Sequence, residues 1–265
     1  MVDFTESDDL RGARFVATSL AGAHFERADL SGVVMRGVDL AGAELDSPWL
    51  LEEGSTLLVN GVDIVPLVDA ELDRRFPGRE LRRASDPESL RAAWAAIESS
   101  WADVLARVEQ MPAGTVDMSI GGEWSFSQTL RHLVMATDTW LRKAIQGIAA
   151  PYHPLGQPHV EYATDGYDTS VFRDGIPTFA EVLAARADRV AMVRDFIAGA
   201  TPELLAAPRP SAWSPQVSKT VLSCLHTILE EEWEHQRYAV RDLDAIAAGR
   251  DGAGDRATGD VNREG

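Results

Sequence analysis

A large apolar residue occupies every fifth position between residues 10 and 45 of this 265-residue chain. The residues are Leu10, Phe15, Leu20, Phe25, Leu30, Met35, Leu40 and Leu45. A five-residue period fits neither the 3.6-residue turn of an α-helix nor the two-residue alternation of a β-strand. The segment therefore needs another regular backbone. An irregular leader rich in Ala and Gly is the alternative, but eight successive matches argue against it.

The repeat resembles the pentapeptide-repeat family, whose pattern is Ala, then Asp or Asn, then Leu, followed by two variable residues. Residues 28–32, Ala-Asp-Leu-Ser-Gly, are the clearest copy. The resemblance implies a right-handed square β-helix, in which the eight copies would form about two coils. Solenoids of this kind bury their core only by stacking, so we expect a short one to lean on another part of the protein. We place this segment at residues 1–48.

Residues 49–84 are predicted to form a linker with two small elements. Apolar runs flank Asn60 and Gly61, and this dipeptide favours the tight turn of a β-hairpin. Residues 69–78 predict a short helix, because they are rich in helix-forming residues and end in a Pro-Gly pair. We expect its charged face to be structural.

Helix start signals recur four times in residues 85–248. Ser85, Ser125 and Thr178 are each followed three residues later by an acid or Gln, and Ser214 begins a Ser-Pro pair. The predicted helices run over about 85–111, 125–149, 178–199 and 214–248. They predict a mainly α fold, a four-helix bundle preceded by the short β-helix.

Two further segments lie outside the predicted helices. Residues 150–177 form a long connection rich in Pro, Gly, His and Tyr, and long connections of this kind are often functional. Residues 249–265 are rich in Gly and charge, which predicts a disordered tail.

Charge and cysteine content exclude several classes of protein. The net charge is −17, so the chain lacks the basic surface that nucleic-acid binding requires, and an anionic membrane is disfavoured for the same reason. No apolar run reaches the roughly 20 residues of a membrane span, and the acidic N-terminus does not resemble a signal peptide. The single cysteine, Cys224, cannot form a disulfide within the chain. We therefore expect a cytoplasmic protein without nucleic-acid or membrane partners.

The last predicted helix carries an acid and a histidine on one face. Glu231 and His235 are four residues apart, on a stripe with Cys224 and Ile228. Both polar groups are costly to bury unpaired, and a metal ion would remove that cost because carboxylate and imidazole are good ligands. A solvated ion pair is the competing interpretation. His132, two turns into the second predicted helix, could by itself be an ordinary core or surface residue.

Together these residues resemble the DinB/YfiT-like bundle family, whose pattern is W-[ST]-x-x-[EQ]-x-x-x-H-L on the second helix and H-x-x-x-H on the fourth. Residues 124–133 match the first pattern and end in His132-Leu133. The resemblance covers about residues 86–248 and implies a divalent metal, commonly zinc or nickel, with His132 as the first ligand and His235 as the third. Glu231 stands where a second histidine is expected. A metal-free remnant of the family site is therefore the alternative.

The resemblance also implies a function. Characterised members of the family are similar to thiol transferases that use bacillithiol or mycothiol, and they include a mycothiol-dependent maleylpyruvate isomerase. Three protein ligands leave coordination positions open, as in catalytic sites, where a metal can lower the pKa of a thiol. The chain contains only two lysines, Lys143 and Lys219, and much Ala and Gly, which suggests a GC-rich genome and favours mycothiol.

We therefore expect a metal-dependent thiol S-transferase or isomerase that acts on a small-molecule substrate. The alternative is a non-catalytic scaffold that recruits a partner through the repeat and the acidic surface. Whether the chain forms the family's common homodimer stays open.

Three residues are candidates for substrate binding. His153 lies in the long connection and could approach the metal or the substrate. Arg142 and Arg237 could hold a substrate carboxylate, although surface ion pairs with neighbouring acids are the competing interpretation.

Other residues are interpreted as structural. His226 is predicted on the side of the last helix opposite Glu231, and Cys224 as a buried structural thiol. Trp124 and Trp140 are assigned to the core. His159 is a weaker candidate than His153.

Overall fold

The computed structural model describes residues 3–5, 8–52 and 54–249. Clustering of contacts divides the chain into two compact units, Met1–Asp46 and Ser47–Gly265. Except for Gly249, the predicted disordered tail at 249–265 lies outside the described residues.

The first unit is built from regularly spaced turns. Backbone N–H groups donate to the carbonyl three residues earlier at ten-residue intervals, from Ala13, Ala23, Val33 and Ala43. Gly12 has a positive φ of 76°, which the third position of a type II turn requires. The described residues of this unit contain no strand, and the eight apolar side chains of the repeat are exposed. Its backbone has the expected periodicity, while the β-helix itself stays a prediction.

The second unit begins with the predicted hairpin. Strands β1 (Leu58–Val59) and β2 (Val62–Asp63) pair antiparallel. Asn60 and Gly61 both have positive φ, at 50° and 83°, as a type I′ turn requires. The hairpin prediction is therefore confirmed. Helix α1 follows at Val65–Arg75, earlier than predicted because a proline in its first turn suits a helix start.

A buried ionic network explains the charged face of α1. A 3₁₀ turn at Arg79–Arg83 follows the helix. Arg79 and Arg82 are buried and pair with Asp69 and Asp73 of α1. The network ties the turn to the helix, as expected for a structural role.

Four longer helical segments form the core of this unit. They are α2 (Pro87–Val108), α3 (Phe126–Thr137) continued by a π-helical segment (Asp138–Ile145), α4 (Phe179–Ala198) and α6 (Val221–Ala247). Capping boxes start α3 at Ser125 and α4 at Thr178, as predicted. The box of α2 is formed by Asp86 rather than by Ser85, because the Asp86 carboxylate accepts the first free N–H groups of the helix.

The predicted start of the last helix at Ser214 is wrong. Helix α6 begins at Val221, after a short antiparallel pair of strands, β3 (Pro208–Pro210) and β4 (Ser218–Thr220). This pairing leaves Ser214 in the connecting loop. Thr220 becomes the N-cap instead, because its hydroxyl accepts the backbone N–H three residues later. A one-turn helix, α5 (Pro202–Ala206), precedes the strands.

The longer helices bury a common apolar core and confirm the mainly α prediction. Fully buried members come from all four segments and include Trp94, Ile97, Leu130, Leu141, Val182, Ile197, Leu225 and Leu229. No helix within the described ranges combines the length and apolar character needed to cross a membrane.

Candidate metal centre

Helices α3 and α6 bring His132, Glu231 and His235 together. One potential ligand atom from each side chain lies within 4.8 Å of the other two, and no second group of three such residues occurs in the described part of the chain. Nε2 of His132 lies 3.4 Å from Oε2 of Glu231, and the two imidazole centroids are 4.6 Å apart. The i, i+4 spacing on α6 and one facing helix are sufficient to build this cluster.

Backbone carbonyls orient both imidazoles. Nδ1 of His132 lies 3.0 Å from the carbonyl oxygen of Gln157, and Nδ1 of His235 lies 2.9 Å from that of Glu231. A carbonyl oxygen only accepts hydrogen bonds, so each neutral ring carries its proton on Nδ1. In His132 this leaves Nε2, which lies 3.4 Å from the Glu231 carboxylate, as the potential metal ligand. In His235 the nitrogen recorded near that carboxylate is Nδ1, at 3.3 Å. Ligating histidines in proteins are generally held by hydrogen bonds of this kind.

The electrostatics of the cluster suit a cation. Burial raises the pKa of Glu231, but its interactions with the imidazoles of His132 and His235 outweigh burial and lower the pKa to about 2. Burial, together with repulsion from His132, lowers the pKa of His235 to about 4 despite the attraction of Glu231. At neutral pH Glu231 is therefore an anion and His235 a neutral base, which are the forms that bind a divalent metal.

The lowered pKa of His235 predicts an acid sensitivity of the metal-free protein. In the unfolded chain the ring binds a proton near its ordinary pKa of 6.5, but in the folded chain only near 4. The unfolded state holds more protons between these values, so the free energy of unfolding falls as the pH drops from 6.5 to 4. The loss should reach about 3 kcal/mol, since one pKa unit corresponds to about 1.4 kcal/mol.

Urea unfolding in the presence of a chelator, for wild type and His235→Gln, measures this sensitivity across the same pH range. The variant should lose less stability on acidification, because glutamine does not titrate. Equal pH dependence in the two proteins would contradict the prediction.

Trp124 forms one wall of the site. Its ring centroid lies 4.6 Å from that of His132 and 6.2 Å from that of His235. Trp124 is half-buried and belongs to neither buried cluster of the core, whereas Trp140 is a core residue. The assignment of Trp124 to the core is therefore wrong. Trp124 directly precedes Ser125, the N-cap of α3, and its indole lies beside the ligand cluster.

The long connection before α4 passes directly beside His132. The backbone N–H of Gln157 donates to the carbonyl of Arg131 (3.1 Å), and Nε of Arg131 donates to the carbonyl of Leu155 (2.9 Å). Near the start of the connection, the backbone N–H of His153 donates to the fully buried carboxylate of Asp138 (2.7 Å). These bonds fix the connection against α3 and its π-helical extension.

The three candidates for substrate binding lie outside the cluster. Nδ1 of His153 accepts the N–H of Leu155 (3.1 Å), so this nitrogen is occupied by the loop itself. Nη1 of Arg142 lies 3.6 Å from Asp138, which is a buried acid rather than the expected surface one. Arg237 pairs with Glu234 at 3.0 Å. A role of these residues toward substrate stays a prediction.

Two structural interpretations agree with the observed contacts. Nε2 of His226 lies 2.8 Å from the carbonyl of Ala84, remote from the ligand set. Cys224 is fully buried, and burial raises the pKa of its thiol, which suits a structural residue.

A cavity of about 330 Å³ adjoins the ligand cluster. Its lining includes Trp124, Gln157, His159, Val160, Tyr162 and Thr169. Sequence reasoning ranked His159 below His153, yet His159 lines the cavity and His153 does not. The only sequence signal was the abundance of His, Tyr and Pro in this connection.

The fold and the site together define a helical protein with three potential metal ligands beside a cavity. The chain matches the family model of the DinB superfamily over residues 96–239, and eight copies of the pentapeptide repeat model over residues 9–46. The first match covers more than half of the chain, so this protein belongs to the DinB superfamily, whose members generally bind metals. No curated protein and no solved structure matches the chain.

Proposed function

We propose that this protein is a metal-dependent enzyme that joins a low-molecular-weight thiol of the mycothiol type to a small electrophilic molecule, as a transferase or isomerase. His132, Glu231 and His235 would hold zinc or nickel. We also propose that the second unit is a four-helix bundle. The cytoplasmic location and the homodimer remain predictions.

The observation that carries the proposal is the orientation of the two imidazoles. Both Nδ1 atoms contact backbone carbonyls, so each ring is held in place beside Glu231. An ordinary ion pair with Glu231 does not need this arrangement. A pair of oriented bases beside an ionised carboxylate is a familiar donor set for a catalytic metal.

The chain's own residues then account for binding and access. Two histidines and one carboxylate leave at least one coordination position for an exogenous ligand. A divalent metal bound there would lower the pKa of a coordinated thiol and so supply a nucleophile near neutral pH. Trp124 and the connection that carries Gln157 border the site.

A thiol-transfer assay tests the proposal. Zinc- or nickel-loaded protein is incubated with mycothiol or bacillithiol and an electrophile such as 1-chloro-2,4-dinitrobenzene, and loss of thiol and release of chloride are followed. In the expected reaction a sulfur–carbon bond forms, chloride leaves, and the thiol proton passes to the buffer. Wild type should accelerate the reaction with mycothiol more than with bacillithiol.

Glu231→Gln should reduce the rate by about 100-fold or more, because it removes an anionic ligand while keeping the shape of the side chain. Glu230→Gln is the matched control, since Glu230 is the preceding acid on α6, is exposed and lies outside the cluster. Equal activity of the two variants would contradict the proposed site. No acceleration by loaded wild type with either thiol would contradict the function and favour the scaffold alternative.

A further inference from the structure

The cavity and the metal centre share two residues. Trp124 lines the cavity and its ring packs at a tilt against His132. Gln157 also lines the cavity, and its carbonyl oxygen contacts Nδ1 of His132. A molecule in the cavity would therefore lie next to the ligand set. At about 330 Å³ the cavity is at the small end of the range for ligand pockets.

The lining carries no permanent charge. Among the described residues that form it there is no Lys, Arg, Asp or Glu. Lys143, a cation of the neighbouring helical segment, lies 5.0 Å from the Trp213 ring and is engaged there. Arg142, the residue predicted to hold a carboxylate, is near the buried Asp138 instead. With the open position of the metal taken by the thiol, as proposed above, a carboxylate in this cavity would find no permanently cationic side chain in the lining to pair with, which disfavours it.

His159 offers a hydrogen bond to a ligand. Its ring packs edge-on against Tyr162 and Trp213, with centroids 5.4 and 5.6 Å apart. Nε2 lies 3.7 Å from the Asp165 carboxylate, which is beyond hydrogen-bond distance. Within the described ranges no side-chain hydrogen bond of His159 shorter than this contact occurs, so the half-buried imidazole, which lines the cavity, can bond to a ligand.

The aromatic residues of the lining favour a flat molecule. The lining includes Trp124, whose indole lies beside the metal ligands, and Tyr162, whose ring contacts His159. Aromatic walls contact planar groups well, either face to face or edge to face.

We propose that this cavity binds the electrophilic substrate, and that this substrate is an uncharged, flat, aromatic or conjugated molecule with one oxygen bonded to His159, rather than a carboxylate. This inference rests on the proposed function, because it assigns the second substrate of the same site.

Isothermal titration calorimetry with a matched pair of probes tests the inference on the full chain in its metal-free form, in which the carboxylate probe cannot coordinate the ion. The probes are 2-naphthol, which is uncharged, and naphthalene-2-carboxylate, which adds the charge to the same ring. Naphthol should bind at least about tenfold more tightly, because burying the unpaired carboxylate is unfavourable. Ala163→Trp, at an exposed lining residue, should fill the cavity and weaken naphthol binding to a similar extent.

A positive charge introduced at the cavity should reduce the preference for the uncharged probe. Val160 lines the cavity and is 62% exposed, so Val160→Lys should fold normally and bind the carboxylate more tightly than wild type does. Ile176→Lys is the matched control, because Ile176 lies in the same connection, is 86% exposed and is not part of the lining. The control should leave both affinities unchanged.

Tighter binding of the carboxylate to wild type, or naphthol binding that is insensitive to Ala163→Trp, would overturn the inference. The calorimetry requires no turnover, so its failure is separable from failure of the proposed function. Thiol transfer together with a preference for the carboxylate would refute the substrate class alone. Naphthol binding as expected without any thiol transfer would refute the function and retain the cavity as a site for uncharged aromatic molecules.

Discussion

Replacing His132 with alanine is expected to reduce bound metal from about one ion per chain to a small fraction of that value, because two protein ligands hold a divalent ion far less well than three. The measurement is elemental analysis of protein purified without a His tag, after reconstitution with zinc or nickel and removal of free metal. His132 is suited to the test because its Nε2 lies 3.4 Å from Oε2 of Glu231 while its Nδ1 contacts the carbonyl oxygen of Gln157.

His24→Ala is the matched control, because His24 is an exposed histidine of the first unit and is outside the cluster. It should retain the metal content of wild type. If wild type binds no metal after reconstitution, or if His132→Ala binds as much as wild type does, the assignment of the three ligands is wrong. Circular dichroism of each variant separates loss of metal from loss of fold.

Replacing Glu232 with glutamine is expected to destabilise the protein by about 3 kcal/mol or more, because it leaves a buried guanidinium without its counter-charge. Glu232 of α6 forms an ion pair with Arg186 of α4, and both side chains are almost completely buried. Nη1 of Arg186 is buried without a hydrogen-bond partner, so no second acceptor compensates for the loss. Urea unfolding gives the free energy.

Glu98→Gln is the control for this prediction. Glu98 pairs with Arg194 between α2 and α4, but the arginine is 54% exposed, so the change should cost at most about 1 kcal/mol. If Glu232→Gln does not fold, the double variant Glu232→Leu with Arg186→Met should recover stability, since an apolar pair can replace a buried ion pair. Equal costs for Glu232→Gln and Glu98→Gln would contradict the argument.

Elements governed by neighbouring residues could be predicted well from the sequence. The turn at Asn60 and Gly61 and the capping boxes at Ser125 and Thr178 lie where they were expected, because turn and cap energies depend on a few adjacent residues. The start at Ser214 failed for the opposite reason. Its Ser-Pro pair is a genuine start signal, but the pairing of β3 with β4 supplies backbone hydrogen bonds that a helix there would forfeit.

The candidate site, too, was predictable from the sequence only in part. The i, i+4 spacing of Glu231 and His235 is a property of one helix, and the motif ending at His132 indicated the partner helix, so the sequence alone determined the candidate ligands. The cavity could not be predicted. His159 and Trp124 reach it because distant contacts, such as His153 with Asp138 and Gln157 with Arg131, direct the long connection.

For this protein the sequence by itself determined the helical class, the five-residue repeat and the identity of three potential metal ligands, because each depends on residues close together in the chain. The tertiary structure alone decided where α6 begins, which backbone carbonyl contacts His132 and what lines the cavity. These features depend on groups that are far apart in sequence, and only packing of the helices determines their distances.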